Sequence, residues 1–330
     1  MSAHSVPSEI ILDALQLACR APSLHNSQPW RWVVAPDRVD LFADPARLLR
    51  GSDASGGEAL ISCGAALHHF RVAMAAAGWD TWVRRFPDEN DRRHLAAVDF
   101  TPAAAVTDHQ KRRADAILLR HTERLPLEAP TEWDRLSGLA ETVAETGSVR
   151  IDHLADEDRP TVAEASRLAN FLRAGDPLYQ DELHVATSDF ASPEAIPVSA
   201  LPSSDQQRRV DVGRDFPATT SHRRHPSVSE DRSTILVIST VEDTAENVLR
   251  CGEALSAVLL DATTAGLATC TVSHVTEVAS GRDVVAALLD DRVVPQVLVR
   301  VGRVATLDPP PPATPRRPIG EVVEMRRGTP

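Results

Sequence analysis

The chain has 330 residues, 42% of them hydrophobic, with 35 basic against 47 acidic side chains and a formal net charge of −12. That length holds one large domain or two of ordinary size with a real core. The acidity argues against non-specific binding to nucleic acid or to an anionic membrane surface.

Residues 1–9 lack a basic-then-apolar signal pattern, and no uninterrupted apolar run matches a bilayer, so a soluble cytoplasmic protein is expected. Apolar residues at Ile11, Leu15 and Ala18 predict a helix over 8–20. A loop over 21–29 contains Pro22, Ser23, His25, Asn26, Gln28 and Pro29, and its prolines fix the backbone around a cluster of donors and acceptors. Read from its residues alone, the loop is either a binding edge or a turn that satisfies its own backbone. Strands follow at 31–35 and 39–43. A small-residue helix at 58–77 ends at Gly78, and strands are expected at 79–86 and 95–100. A basic helix spans 106–119. Beyond it the pattern gives a helix at 133–145, a strand at 149–154 and a helix at 157–173. From 187 to 231 the pattern dissolves among prolines, serines and arginines, too long for an ordinary loop, and a lid, a binding loop or local disorder is expected there. Strands at 235–239, 267–272 and 296–301 alternate with helices at 244–265 and 283–289. The tail, 307–330, reads as an extended arm.

The four cysteines, Cys19, Cys63, Cys251 and Cys270, form no CxxC pair and no zinc-like spacing with histidine. They read as buried free thiols, and no metal site is expected.

An internal repeat is legible. Cys63-Gly64 and Cys251-Gly252 lie 188 residues apart, as do Gly78 and Gly266, and Glu58 and Glu246. An ungapped match over a helix, its terminal glycine and the following strand is best explained by duplication.

Three further segments carry candidate chemistry. Arg120-His121-Thr122-Glu123-Arg124, if extended, puts Arg120, Thr122 and Arg124 on one side, a set suited to a phosphate dianion. A solvated basic stretch is the alternative. Arg316 and Arg317 sit in the tail, where an exposed basic segment is the alternative. Ser273 and His274 follow the second repeat strand, and His274 reads equally as an ordinary histidine.

The run Ala-Pro-Ser-x-x-Asn-x-Gln-Pro-Trp-Arg at 21–31 resembles the signature loop of the FMN-dependent nitroreductase family. Residues 120–124 are similar to the family's Arg-(Arg/His)-Ser-x-(Arg/Lys) phosphate motif, and 316–319 to its C-terminal Arg-x-Pro-Leu segment. The pattern as a whole resembles the Acg-like NAD(P)H nitroreductase branch of actinobacteria. The resemblance implies an α+β, nitroreductase-like fold, duplicated so that one chain forms a pseudo-dimer with central antiparallel or mixed sheets flanked by helices. Its first half would be 1–115 and its second 116–330, with a lid at 187–231. One FMN is implied at their junction. Pro22, Ser23, His25, Asn26 and Gln28 would come from the first half. Arg120, His121, Thr122, Arg124, Ser273, His274, Arg316 and Arg317 would come from the second. The flavin would carry the chemistry between NAD(P)H and a nitroaromatic, quinone or similar acceptor, with no dedicated catalytic side chain. An FMN-sequestering protein with little turnover is the alternative. The pseudo-dimer removes the need for a partner chain without forbidding a homodimer.

Overall fold

The computed structural model describes residues 6–131, 147–188, 191–217, 228–289, 292–304 and 310–326. The helix expected at 133–145 lies outside these residues, as does part of the expected lid. In the first half, α1 (Ser8–Ala18) buries Ile11, Ala14, Leu15 and Ala18, one face at helical spacing. After the polar loop comes the hairpin β1 (Trp30–Val34) and β2 (Val39–Ala43), antiparallel with Val34 opposite Val39. Helix α2 (Gly57–Ala76), strand β3 (Trp79–Arg85) and strand β4 (His94–Pro102) follow. Helix α3 (Asp108–Leu119) starts at a capping box formed by Thr107 and Gln110.

The second half contains β5 (Val149–His153), α4 (Arg159–Ala174), α5 (Pro177–Thr187), β6 (Thr234–Thr240), α6 (Ala245–Thr264), β7 (Ala268–Val272), α7 (Ala279–Ala287) and β8 (Val294–Gly302). Helix α5 has no counterpart among the elements expected from the sequence. Pro177 occupies its first turn, and the Asp176 carboxylate accepts from the Leu178 and Tyr179 amides at 3.1 and 3.2 Å. The tail is not simply extended. It forms one helical turn at Ile319–Val322 and then β9 (Val323–Met325).

The strands form two sheets, ordered β3-β4-β2-β1-β9 and β5-β6-β8-β7. All pairs are antiparallel except β1 with β9, which is parallel. Taken by position along each half, β3-β4-β2-β1 and β7-β8-β6-β5 have the same order. The tail departs from the expected division at residue 116: it follows the second half in sequence, yet its strand is hydrogen-bonded into the first half's sheet.

Helices α2 and α6 cross at the centre of the molecule. Both end on a glycine in the left-handed region, Gly78 at φ 87° and Gly266 at φ 76°, where a Cβ would be strained. At the crossing the backbones nearly touch. A Cβ on Gly64 would lie 2.1 Å from the Leu249 carbonyl oxygen, and one on Gly252 would lie 2.1 Å from that of Ile61. Ile61 and Leu249 are themselves 188 residues apart. His68 Nδ1 and Ser256 Oγ, another pair at that offset, are 2.7 Å apart. Reciprocal contacts of this kind are what a twofold axis produces. Among the described residues α2 alone has the length and hydropathy of a membrane span, and 78% of that stretch is buried inside the fold. It is a core helix, covered by protein along most of its surface. Helix α3 closes the groove between the pair, with Ala116 and Ile117 against Val72 and Leu260. The four cysteines are buried and free, as expected.

One buried ionic network anchors the end of the expected lid. Asp231 pairs with Arg300 at 2.7 Å and with Arg159 at 2.7 Å, and accepts from the Leu127 amide at 2.8 Å. Burial pushes its carboxyl up, but Arg300, Ser233 and Leu127 hold it below the ordinary aspartate value. The Asp231→Asn variant leaves Arg300, 1% exposed, without its counter-charge. It should lose about 3 kcal/mol in denaturant unfolding at neutral pH. Because the folded-state value is depressed, that stabilisation is complete above the unfolded value of about 4 and fades as pH falls through the folded one. The gap in melting temperature between the two proteins should therefore narrow in acid.

Candidate functional site

A cavity of about 380 Å³ lies where the halves meet, within the usual size range of small-molecule sites. The first half contributes the loop at 20–26 and one face of α2. The second contributes 118–124, the end of β7, residues of 196–216 and the proline-rich arm at 310–316. Of the residues expected at a site, Pro22, Ser23, His25, Asn26, Arg120, His121, Thr122, Arg124, Ser273 and Arg316 line this space. Gln28, His274 and Arg317 do not, for physical reasons given below.

The loop is held in an unusual backbone. His25, Asn26 and Gln28 have φ of 49°, 55° and 51°. Asparagine and histidine are among the residues that tolerate that region, whereas glutamine is strained in it. Side chains over-determine the conformation. Ser23 Oγ accepts from the Gln28 amide at 3.0 Å, and Ser62 Oγ accepts from the Leu24 amide at 3.3 Å. Asn26 Nδ2 donates to the carbonyls of Glu194 at 2.8 Å and Pro315 at 3.0 Å, so one amide ties together the loop, the covering segment and the C-terminal arm. Replacing Asn26 with alanine removes both bonds and places a poorer residue in the left-handed region. A loss of about 2 kcal/mol is expected, together with faster proteolysis within 191–217.

Gln28 and Arg317 form the clamp behind the loop. Gln28 Oε1 accepts from the Arg317 amide at 2.9 Å, and the Arg317 guanidinium pairs with Asp44 at 3.1 Å. Arg317 therefore already has a carboxylate, and its role is to seat the arm. His274 is fully buried, with Nε2 2.9 Å from Ser166 Oγ, and burial followed by Arg214 and Arg173 keeps it neutral. In this structure it packs as a core histidine, away from the cavity.

One end of the cavity is cationic. Arg20, Arg120 and Arg316 converge there, and among the described residues none is paired with a carboxylate. Arg316 donates to the carbonyls of Cys19 at 3.1 Å and Arg20 at 3.1 Å. Arg120 reaches the Arg20 carbonyl at 3.4 Å. The Nε atoms of Arg20 and Arg120 are buried with no hydrogen-bond partner. Burial, then repulsion from Arg20 and Arg124, lowers Arg120 to about 10. Burial, then Arg120 and Arg20, lowers Arg316 to about 9. Both remain charged at neutral pH, so the cluster carries positive charge without a carboxylate partner among the described residues. Residues 120–124 run alongside β7, with Thr122 bridged to Thr269 and the Glu123 amide donating to the Thr269 carbonyl at 2.8 Å. Arg124 lies 5.3 Å from the Phe216 ring centre.

The other end is different. His25 packs edge-on to Tyr179 at 5.9 Å, and burial followed by Arg214, Arg124 and Arg173 holds it neutral. Ser273 Oγ donates to Glu277 at 2.7 Å and accepts from Arg214 at 3.1 Å. Arg214 also binds Tyr179 and Glu277. Segment 191–217 packs over this end: Ile196, Ala200 and Leu201 cluster with Phe216, and Arg47 pairs with Glu194.

Sequence reasoning missed Arg20, Glu58 and Arg214. Arg20 immediately precedes the loop, but its proximity to Arg120 and Arg316 is tertiary. Glu58 was visible only as a repeat position. Arg214 lay in a stretch with no readable pattern.

No protein-family model matches the chain. It is 53% identical over 321 residues, 97% of each chain, to a Mycobacterium tuberculosis protein named "Putative NAD(P)H nitroreductase acg". It is 42% identical over 322 residues, 96% of this chain and 94% of the relative, to the uncharacterized M. tuberculosis protein Rv3127. Among solved structures, the FMN and NADPH-dependent nitroreductase NfnB from a sphigopyxis strain covers 65% of this chain with 99% of its own, at 14% identity and a TM-score of 0.42. A Bacteroides fragilis nitroreductase with bound FMN covers 60% with 93% of its own, at 13% identity and a TM-score of 0.37.

Proposed function

The chain belongs to the Acg-like NAD(P)H nitroreductase family, and on that premise we propose that it is an FMN-dependent NAD(P)H oxidoreductase with one flavin site, built at the junction of two duplicated halves. The observation that carries the reading is the cluster of Arg20, Arg120 and Arg316 without a carboxylate. Three guanidiniums and two orphaned Nε donors fit a phosphate dianion. A carbon-rich middle, with Ile61, Leu255 and Val272, suits an isoalloxazine face, and Ser23, Asn26 and Ser273 supply polar edges. Arg20, Arg120, Thr122 and Arg316 would hold the phosphate. The strained loop at 23–28 would fix the ring edge without reorganisation. The flavin, when bound, supplies two-electron transfer between NAD(P)H and a nitroaromatic, quinone or similar acceptor. The protein's part is to bind, orient and shield from water.

The halves correspond to 1–115 and 116–330, with the tail exchanged onto the first sheet. Strand order, the Gly64–Gly252 crossing and the 188-residue offset all support duplication. A single site per chain is supported by the counterpart of Ser273 at that offset, which is Arg85. Arg85 and Arg71 both bind Glu253 at 2.7 Å in an ion-pair cluster. One bound FMN per chain is therefore expected.

A second reading, flavin storage with little turnover, is favoured by one specific observation: segment 191–217 is pinned over the cavity through Asn26, Arg47–Glu194 and Arg214–Glu277. The test is anaerobic addition of NADPH, then NADH, to the FMN-loaded protein. Bleaching that reverses on adding a quinone establishes the oxidoreductase. A flavin that dithionite reduces and neither nucleotide does establishes storage. Failure to retain FMN overturns both.

A further inference from the structure

Glu58 stands on the first turn of α2, on the wall shared by the flavin cavity and a second cavity of about 480 Å³. The second cavity is polar, bounded by Ser52, Asp53, Asp176, Glu277 and Arg282. Among the described residues the Glu58 side chain has no hydrogen bond and no ion pair. Its neighbours are already engaged: Asp53 accepts from the Ala59 amide at 2.8 Å, and Glu277 is bound by Arg214, by Ser273 at 2.7 Å and by Arg173 at 3.6 Å. The other half shows what this position does elsewhere. Glu246, 188 residues on, is paired with Arg250 at 2.7 Å on the surface. The residue matching Arg250 at that offset is Ser62, which lines the cavity and donates instead to the Glu58 carbonyl at 2.7 Å. The first half's copy of this position thus places a carboxyl on the cavity wall, with no cation paired to it among the described residues.

From this placement we infer that Glu58 is a proton donor to the electron acceptor, resupplied with protons through the second cavity. The inference rests on the oxidoreductase reading above. Two-electron reduction of a quinone takes up two electrons and two protons. The electrons and one proton derive from NAD(P)H. The second proton comes from the Glu58 O–H bond, which breaks as an O–H bond forms on the acceptor. The carboxylate left behind is reprotonated by water in the second cavity. The donor must be protonated at rest, and the surroundings favour that. Burial, then Glu277 and Asp53, push the Glu58 carboxyl well above the usual glutamate range, with Arg214 and Arg282 acting against them. The α2 N-terminus also favours the anion, but within one turn and modestly.

Two measurements test it. In the flavin-free protein, infrared difference spectra of wild type minus Glu58→Gln should contain a protonated-carboxyl band that persists through neutral pH. A band that disappears in the ordinary glutamate range overturns the inference. In the loaded protein, stopped-flow reoxidation of reduced flavin by a water-soluble benzoquinone should slow by about 100-fold or more in Glu58→Gln and lose its solvent isotope effect. Glu246→Gln, outside the site, should behave as wild type. Reoxidation of Glu58→Gln at the wild-type rate overturns the inference while leaving the oxidoreductase reading intact. A wild-type flavin that NAD(P)H cannot bleach overturns that reading, and this inference with it.

Discussion

Arg316→Ala should weaken FMN binding by about 10- to 100-fold, and the Arg120→Gln, Arg316→Ala double variant should purify without flavin. Each charged hydrogen bond to phosphate is worth about 1.5–3 kcal/mol, or one to two decades of affinity. Arg316 also bonds the backbone of residues 19–21, so its loss loosens the start of the loop. Arg316→Lys keeps the charge but loses the fork and should fall between wild type and alanine. The opposite sign is expected for the stability of the empty protein. Arg120 is buried near Arg20 and Arg124 with no carboxylate, so Arg120→Gln should leave the flavin-free melting temperature unchanged or higher while weakening flavin. Fluorescence titration of free FMN and thermal melts with and without flavin measure both. Unaltered affinity in the double variant would remove the cationic cluster from the site.

Gly64→Leu should cost at least about 5 kcal/mol, enough to remove a folded population from a protein of ordinary stability. A β-carbon at Gly64 meets the Leu249 carbonyl oxygen at 2.1 Å, a backbone atom that cannot rotate away. Relief requires the two central helices to part, which exposes the cores on both sides, from Leu67 and Phe70 to Val258 and Leu259. Gly252→Leu should do the same through Ile61. The double variant should be less than additive, because helices already parted make room for the second side chain. Gly64→Ala should be milder, detectable as lower melting temperature and weaker flavin retention, since the cavity is formed by both halves. Circular dichroism melts and soluble yield report the outcome. A Gly64→Leu protein with wild-type stability would mean that the helices do not cross there.

Much of the site was legible because its residues are contiguous. The loop at 21–31 and the segment at 120–124 are short runs whose composition identifies them, and each occupies the cavity wall. Arg20 was not legible as a third cation, since nothing local distinguishes it from other surface arginines. Gln28 and Arg317 do not line the cavity but brace the loop and the arm behind it. They match a motif, but a motif does not say which side chains face the ligand and which brace the ones that do. His274 shows the same limit from the other direction: a histidine beside Ser273 turns inward to Ser166.

Helix and strand positions, terminal glycines, the repeat and the family resemblance were set by local pattern. Periodicity and backbone preference act within a few residues and survive in the sequence unaided. Tertiary structure alone decided the rest: β9 crossing to the first sheet, three arginines meeting at one end of a cavity, and Glu58 standing between two cavities. These depend on which residues from distant parts of the chain are brought within a few ångströms. The free energy that brings them there comes from burying α2 against α6, a packing term that no single segment contains.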